Sequence, residues 1–255
     1  MLDLIFVATS PPLKLSEPYL NFPAKNIREL LDSMVMEEKT FQIENFLTDT
    51  DFTLMGEVIG SEEPFFDVQG AWKGKVTSTQ QWISVESDFA EFIKNKLNDS
   101  RHFWYGRIPT LKRNTIDGIQ ILRAKNPYDV HSDWVVTNNQ VPIADPVASP
   151  PTYTVVIPLL DDGDYKTIVF DQGAKYNNFS DYKKLHPELK EYSADYDWNK
   201  YCSHCVKEDQ KYLTIKEIFH WKRGTLFAFD RRLFHCSANF SELPKKAIVM
   251  WLSRG

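Results

Sequence analysis

The segment Arg223-Gly224-Thr225-Leu226-Phe227-Ala228-Phe229-Asp230-Arg231-Arg232-Leu233-Phe234-His235 reads as a glycine turn, a short apolar strand, a charged turn, and a second strand that delivers a histidine. The same pattern recurs on either side of it. Runs rich in β-branched and aromatic residues, bounded by Pro, Gly, Asp and Asn, occupy Gly118 to Leu122, Tyr153 to Leu160, Thr167 to Asp171 and Ala247 to Leu252. Short strands in succession with no helices between them predict a sandwich or barrel. The expected fold class is therefore mainly β with supporting helices (α+β).

The helices are expected in the first half. Asn26 to Val35 has a capping-box spacing at Asn26 and Glu29 and apolar residues at helical intervals. Asp88 to Leu97 has Ser87 as N-cap and a stripe of Phe89, Phe92, Ile93 and Leu97. A single domain, 1–255, is expected, with residues 1–112 as a helix-containing support and 113–255 as the β core. Two segments interrupt that core. Val141 to Thr152 carries Pro142, Pro146, Pro150 and Pro151, which cannot donate to a ladder and predict a loop. The insert at about 173–220 holds Tyr176, Tyr182, Tyr192, Tyr196, Tyr201 and Tyr212 among many charges, and its length predicts a lid or a disordered segment.

With 255 residues and 42% hydrophobic content, the chain can bury a sizeable core. A net charge of -5 gives no broad basic surface for phosphates, so nucleic acid is not an expected partner. The apolar run Leu4 to Ala8 is far shorter than the roughly 18 residues of a membrane span, and no positive flank precedes it. Neither signal peptide nor anchor is expected. Three cysteines, Cys202, Cys205 and Cys236, are too few and too odd for a disulfide framework. A reducing, cytoplasmic setting is the expectation.

The chemistry concentrates at Tyr128-Asp129-Val130-His131-Ser132-Asp133-Trp134, where an imidazole and a carboxylate stand two residues apart. In an extended chain residues i and i+2 share a side, so the two can grip one ion. Such a triplet arises easily by chance, and His186-Pro187-Glu188 is a similar one that reads as a solvated turn. The first triplet gains weight from His235 and from the strand Lys245-Lys246-Ala247-Ile248-Val249-Met250-Trp251. Lysine is rarely buried without a partner, so two lysines opening an apolar strand suit an anionic ligand.

These residues resemble the Fe(II)- and 2-oxoglutarate-dependent dioxygenases, in particular their prolyl-4-hydroxylase-like branch, over roughly Ile119 to Trp251 without the insert. The resemblance implies a double-stranded β-helix (jelly roll, cupin-like) core. It also implies a His-x-Asp...His facial triad at His131, Asp133 and His235, acting as metal ligands and catalytic residues. Lys245 stands where the family carries the basic residue that pairs with the distal carboxylate of 2-oxoglutarate, and Trp251 matches the Trp that ends the family's next strand. Asp162 to Phe170 looks like the family's Gly-Gly-x-Thr-x-Phe hairpin, with one glycine missing. The implied cofactors are Fe(II), 2-oxoglutarate as cosubstrate, and O2. The implied reaction is hydroxylation of an unactivated C-H bond with release of succinate and CO2. Halogenating relatives have a small residue in place of Asp133, so its presence favours hydroxylation. The substrate class left open is a peptide or protein residue, a free amino acid or another small molecule.

Apart from the family, two neutral imidazoles and one carboxylate on one face of an octahedral ion leave three positions for a bidentate oxo acid and dioxygen. Lys245 and Lys246 differ by one residue of register, hence by face. If Lys245 points in, Ala247, Val249 and Trp251 line the cosubstrate side, and Ile248, Met250 and Leu252 pack on the helical half. Arg123, near a cosubstrate-contacting position of the family, is a further candidate, with a surface ion pair as its plain alternative. Tyr128 and Trp134 are candidate lining residues, whereas Arg231 and Arg232 read as solvated turn charges. Metal retention by neutral histidine with an ordinary pKa of about 6.5 predicts loss of iron below roughly pH 5.5. Cys202-Ser203-His204-Cys205 offers a competing zinc reading, against free thiols in a lid. The rival to an enzyme is a non-catalytic β-sandwich binding or assembly module.

Overall fold

The computed structural model describes residues 40–56, 66–69, 76–99, 114–133, 137–138, 141–142, 153–160, 164–173, 179–192, 197–239 and 245–254. The expected helix Asn26 to Val35, Trp134, Pro146, Pro150, Pro151, Tyr176, Tyr196 and the start of the Asp162 to Phe170 hairpin lie outside them. The elements in chain order are β1 (Thr40–Ile43), α1 (Asp49–Leu54), β2 (Phe66–Gln69), β3 (Val76–Ile83), α2 (Asp88–Asp99), β4 (Asn114–Ala124), β5 (Thr137–Asn138) and β6 (Val141–Pro142). There follow β7 (Tyr153–Pro158), β8 (Lys166–Gly173), α3 (Phe179–Leu185), α4 (Trp198–Cys202), a 3-10 turn Lys207–Tyr212, β9 (Ile215–His220), β10 (Leu226–Asp230), β11 (Leu233–Ser237) and β12 (Lys245–Arg254). Among them no helix is long and apolar enough to cross a membrane.

A seven-stranded antiparallel sheet in the order β1-β10-β7-β12-β4-β3-β2 faces a three-stranded sheet in the order β11-β8-β9. The facing residues make one apolar cluster: Phe227, Phe229, Ala247, Val249 and Trp251 from the large sheet against Val169, Phe219 and Leu233 from the small one. Phe219 stacks on Phe227 at 4.6 Å across that interior. This is a jelly roll of the double-stranded β-helix type, and every strand foreseen between Gly118 and Leu252 is present in it. Three of its strands, β1, β2 and β3, come from the first 112 residues, so that region contributes sheet as well as helix.

The alternation of side chains puts the other face of each sheet against its own cover. Outside the large sheet, Ile119, Ile121, Val155, Ile157, Ile248, Met250 and Leu252 pack on Phe46, Leu47, Met55, Phe89 and Ile93. Helix α2 forms as its stripe predicts, with the Ser87 hydroxyl accepting from Ala90 N at 3.2 Å and Phe89 and Ile93 buried. Helix α1 starts on a capping box between Thr48 and Asp51, and Lys96 of α2 reaches Asp51 Oδ1 at 2.7 Å, tying the two helices together.

Outside the small sheet, Ile168, Phe170, Phe234 and Cys236 pack on Phe179, Trp198, Cys202, Cys205 and Leu213. Those covering residues belong to the insert. Its described residues therefore form helices against the back of the small sheet, with Tyr182, Tyr201 and Tyr212 packed on the same cluster, and its last residues are strand β9, paired with β8. The expected lid is thus a buttress. Its apolar residues sit too irregularly among the charges for a periodicity search, yet enough of them converge to bury one face. The proline-rich segment also departs from expectation at its start: Val141–Pro142 pairs with Thr137–Asn138 in a two-residue ladder. A two-stranded ladder leaves one edge unpaired, which is where a residue without an N–H is tolerated.

Candidate functional site

Strand β11 begins after the turn at Arg231 and Arg232 and alternates Leu233, His235 and Ser237 toward the interior with Phe234 and Cys236 toward the insert. The residues around His131 lie beside it. His131 N donates to His235 O at 3.0 Å, and His235 N donates to His131 O at 2.8 Å. That pair of backbone bonds brings together two histidines that are over one hundred residues apart, with rings 4.3 Å centre to centre. Asp133 is held alongside by its own N–H, which donates to Arg231 O at 3.0 Å.

The side chains converge. His131 Nε2 lies 3.9 Å from Asp133 Oδ1, and His235 Nε2 lies 3.7 Å from Asp133 Oδ2. The three ligand atoms all fall within 4.8 Å of one another. Metal–imidazole bonds are about 2.0–2.1 Å, so two atoms on one ion can stand up to about 4.2 Å apart. The observed separations suit a shared first-row ion. The tautomers are set for it as well: Nδ1 of His131 donates to Asp129 O at 2.7 Å, and Nδ1 of His235 donates to Leu233 O at 3.1 Å. Each Nε2 therefore carries its lone pair into the space shared with Asp133. Thr154 on β7 donates its hydroxyl to Asp133 Oδ2 at 2.7 Å and orients the carboxylate.

Burial alone would raise the Asp133 carboxyl, but the two imidazoles and the Thr154 bond outweigh it and hold the group below its ordinary value. His235 is pushed down to about 4, first by burial and then by the charge of His131. The loss of metal expected below roughly pH 5.5 used an ordinary histidine; at His235, burial moves proton competition well below that. The site still opens outward, because the His131 and Asp133 side chains keep 21% and 16% of their surface.

Lys245 settles its own register. It is 4% exposed, its ammonium donates to Ser237 Oγ, and it sits 4.6 Å above the Trp221 ring. Trp221 is itself fixed by its indole N–H, which donates to Thr167 Oγ1 at 2.9 Å. Ala247, Val249 and Trp251 share that interior face, and Ile248, Met250 and Leu252 lie on the other. The Lys245 charge is felt at His235. Desolvation pushes the ammonium down to about 7, partly opposed by Cys236. Trp251 stacks on Trp82 at 5.5 Å, and the Tyr128 ring lies 5.6 Å from His131.

Two expectations change. Arg123 is exposed and pairs in register with Lys246; it shares its parity with Ile119 and Ile121, on the helix-covered face, so the structure does not bring it to the triad. Arg231, read as a solvated charge, is 2% exposed, with Asp117, Asp133 and Asp230 as charged neighbours. It lies in the tight turn between β10 and β11, where the partly exposed Arg232 pairs with the buried Asp230. The sequence reading also missed Thr154, Ser237 and Gln120. Gln120 occupies an interior position of β4 with a buried Oε1 that has no hydrogen-bond partner among the described residues. The available signal was one polar residue inside the apolar run Gly118 to Leu122, between Ile119 and Ile121.

No family model matches the chain, and no curated protein matches it in sequence. Solved structures do resemble it. An oxidoreductase of the 2OG-Fe(II) oxygenase family from Burkholderia pseudomallei superposes with a TM-score of 0.50 at 16% identity, over 88% of each chain. The non-heme alpha-ketoglutarate-dependent epimerase SnoN from nogalamycin biosynthesis gives 0.52 at 8% identity, over 90% of this chain and 84% of that one. The corresponding carbocyclase SnoK gives 0.50 at 14% identity, over 91% and 84%. At such identities the likeness is one of fold, and the fold is the jelly roll that these oxygenases use.

Proposed function

We propose that this chain is an Fe(II)- and 2-oxoglutarate-dependent dioxygenase that hydroxylates a C–H bond of a peptidyl residue or free amino acid in a reducing, cytoplasmic compartment. The observation that carries the reading is the convergence of His131, Asp133 and His235 with both Nε2 lone pairs turned inward and a buried ammonium, Lys245, on the same interior surface. A neutral–neutral–anionic donor set with open positions suits Fe(II), which fits the residues present.

In this reading His131 and His235 hold the ion through Nε2, and the carbonyls of Asp129 and Leu233 prevent either ring from turning. Asp133 is the third ligand, locked by Thr154. Lys245 receives the distal carboxylate of 2-oxoglutarate, with Ser237 keeping the ammonium in place and Gln120 offering an unsatisfied polar atom to the same interior. Val249, Phe229 and Trp251 exclude water around these groups. Fe(II) and 2-oxoglutarate, when bound, supply the oxidative decarboxylation that yields succinate and CO2 and the oxidation of the substrate carbon.

The test is anaerobic loading of the purified chain with Fe(II) and 2-oxoglutarate, exposure to O2 with a panel of peptides and free amino acids, and measurement of succinate. Substrate-dependent succinate is expected from the intact protein and none from His131→Ala, Asp133→Ala or His235→Ala. Succinate formation that survives all three substitutions sinks the reading.

A further inference from the structure

The three cysteines of the chain form a second constellation, directly behind the first. We propose that Cys202, Cys205 and Cys236 bind a structural zinc ion between the insert and the back of the small sheet. The inference is independent of the oxygenase reading and rests on two observations.

The first is the convergence of the sulfurs. All three thiols are buried and unpaired as disulfides, and their sulfurs lie within 4.8 Å of one another. Cys202 and Cys205 are aimed at one point by the turn after α4, where Cys205 N donates to Cys202 O at 3.0 Å. Cys236 arrives from β11, its sulfur 3.6 Å from that of Cys202. Zinc–thiolate bonds of about 2.3 Å in a tetrahedron place neighbouring sulfurs about 3.8 Å apart, close to the separation seen. A disulfide needs about 2.05 Å and would leave one thiol over. Thiols packed only as small apolar groups have no reason to meet at a single point when the chain has just three.

The second observation is the His204 ring, which lies between Asn239 and the Cys205 sulfur. Its Nδ1 faces Asn239 Oδ1 at 2.8 Å. The Asn239 amide cannot be turned around, because its Nδ2 donates to Lys200 O at 2.7 Å and to Asn199 O at 3.2 Å. Nδ1 therefore donates to Asn239, and Nε2 lies 2.9 Å from Tyr128 O and 3.2 Å from Cys205 Sγ. A small turn of the ring away from Tyr128 O would bring Nε2 to a cation held by the three sulfurs, as its fourth ligand. Neighbouring residues of a strand point to opposite faces, so His235 and Cys236 would serve two metals back to back. The zinc would clamp the insert to the strand that delivers His235.

The experiment is elemental analysis and zinc X-ray absorption on the intact chain, purified without chelator. One zinc per chain is expected, with three sulfurs at about 2.3 Å and one nitrogen at about 2.0–2.1 Å. That zinc should persist in the double variant His131→Ala, His235→Ala and be lost in Cys202→Ser and in Cys236→Ala. Absorption on the intact chain decides the matter even where a cysteine variant fails to fold. Zinc well below one equivalent, a shell of nitrogen and oxygen alone that disappears with the histidine variant, or a Cys202–Cys236 disulfide in the native protein would each overturn the proposal.

Discussion

At the scale of single residues, Lys245 is the most informative side chain. An ammonium that is 4% exposed stays in an apolar sheet only with compensation, and Ser237 Oγ with the Trp221 face supplies part of it. A charge-assisted hydrogen bond is worth roughly 1.5–3 kcal/mol, so Lys245→Ala is expected to weaken 2-oxoglutarate binding about ten- to a hundredfold with metal occupancy unchanged. Lys246→Ala, on the other face, should leave that affinity alone; titration calorimetry without O2 distinguishes the two. The same lysine sets a pH dependence. Burial pushes it down to about 7, and a dianionic ligand needs it protonated. Affinity should be highest below about pH 7 and fall by up to about tenfold for each further pH unit, while Lys245→Ala flattens the profile. A profile in the intact protein that rises with pH would contradict the assignment. The i, i+2 spacing picked out His131 and Asp133 because it is a local rule, whereas His235 and Lys245 were assigned their roles by the resemblance to the dioxygenase family. Thr154 was invisible to it: its hydroxyl meets Asp133 only because β7 crosses beneath the triad.

At the scale of elements, the turn entering β10 pins the large sheet to its helical cover. Gly224 adopts φ 73°, receives Leu47 N on its carbonyl at 2.9 Å and donates to Pro158 O at 3.0 Å. A Cβ there would come within 2.2 Å of Leu47 O. Gly224→Ala should therefore cost about 1–3 kcal/mol of stability, from the left-handed backbone and the collision together, read as a lower denaturant midpoint at constant m-value. Strand positions and helix α2 were legible because their periodicities are carried by adjacent residues. The insert was not: α3, α4 and the Lys207–Tyr212 turn are too short for a periodic signal, and their burial comes from docking on Phe170 and Phe234.

At the scale of the whole molecule, two sheets with separate outer covers leave one interior, and that interior collects the polar residues His131, Asp133, His235, Lys245, Gln120 and Thr154. A preformed site of this kind gains RT ln(1 + [L]/Kd) on ligand binding. Mn(II) with 2-oxoglutarate at a hundredfold excess over Kd should add about 2.7 kcal/mol, roughly 5–10 °C in melting temperature for a chain of this size. A non-catalytic binding module would show no such shift. What the sequence determined by itself was the strand succession, the mainly β class and the spacing of four chemistry-bearing residues, since hydrophobic alternation and motif spacing act between near neighbours. Tertiary structure alone decided which face of β12 carries Lys245, where Arg123 and Arg231 point, that the insert backs the small sheet, and that Cys236 meets Cys202 and Cys205. Each of these depends on which distant surfaces come into contact, and both faces of these strands are apolar, so no local pattern could choose between them.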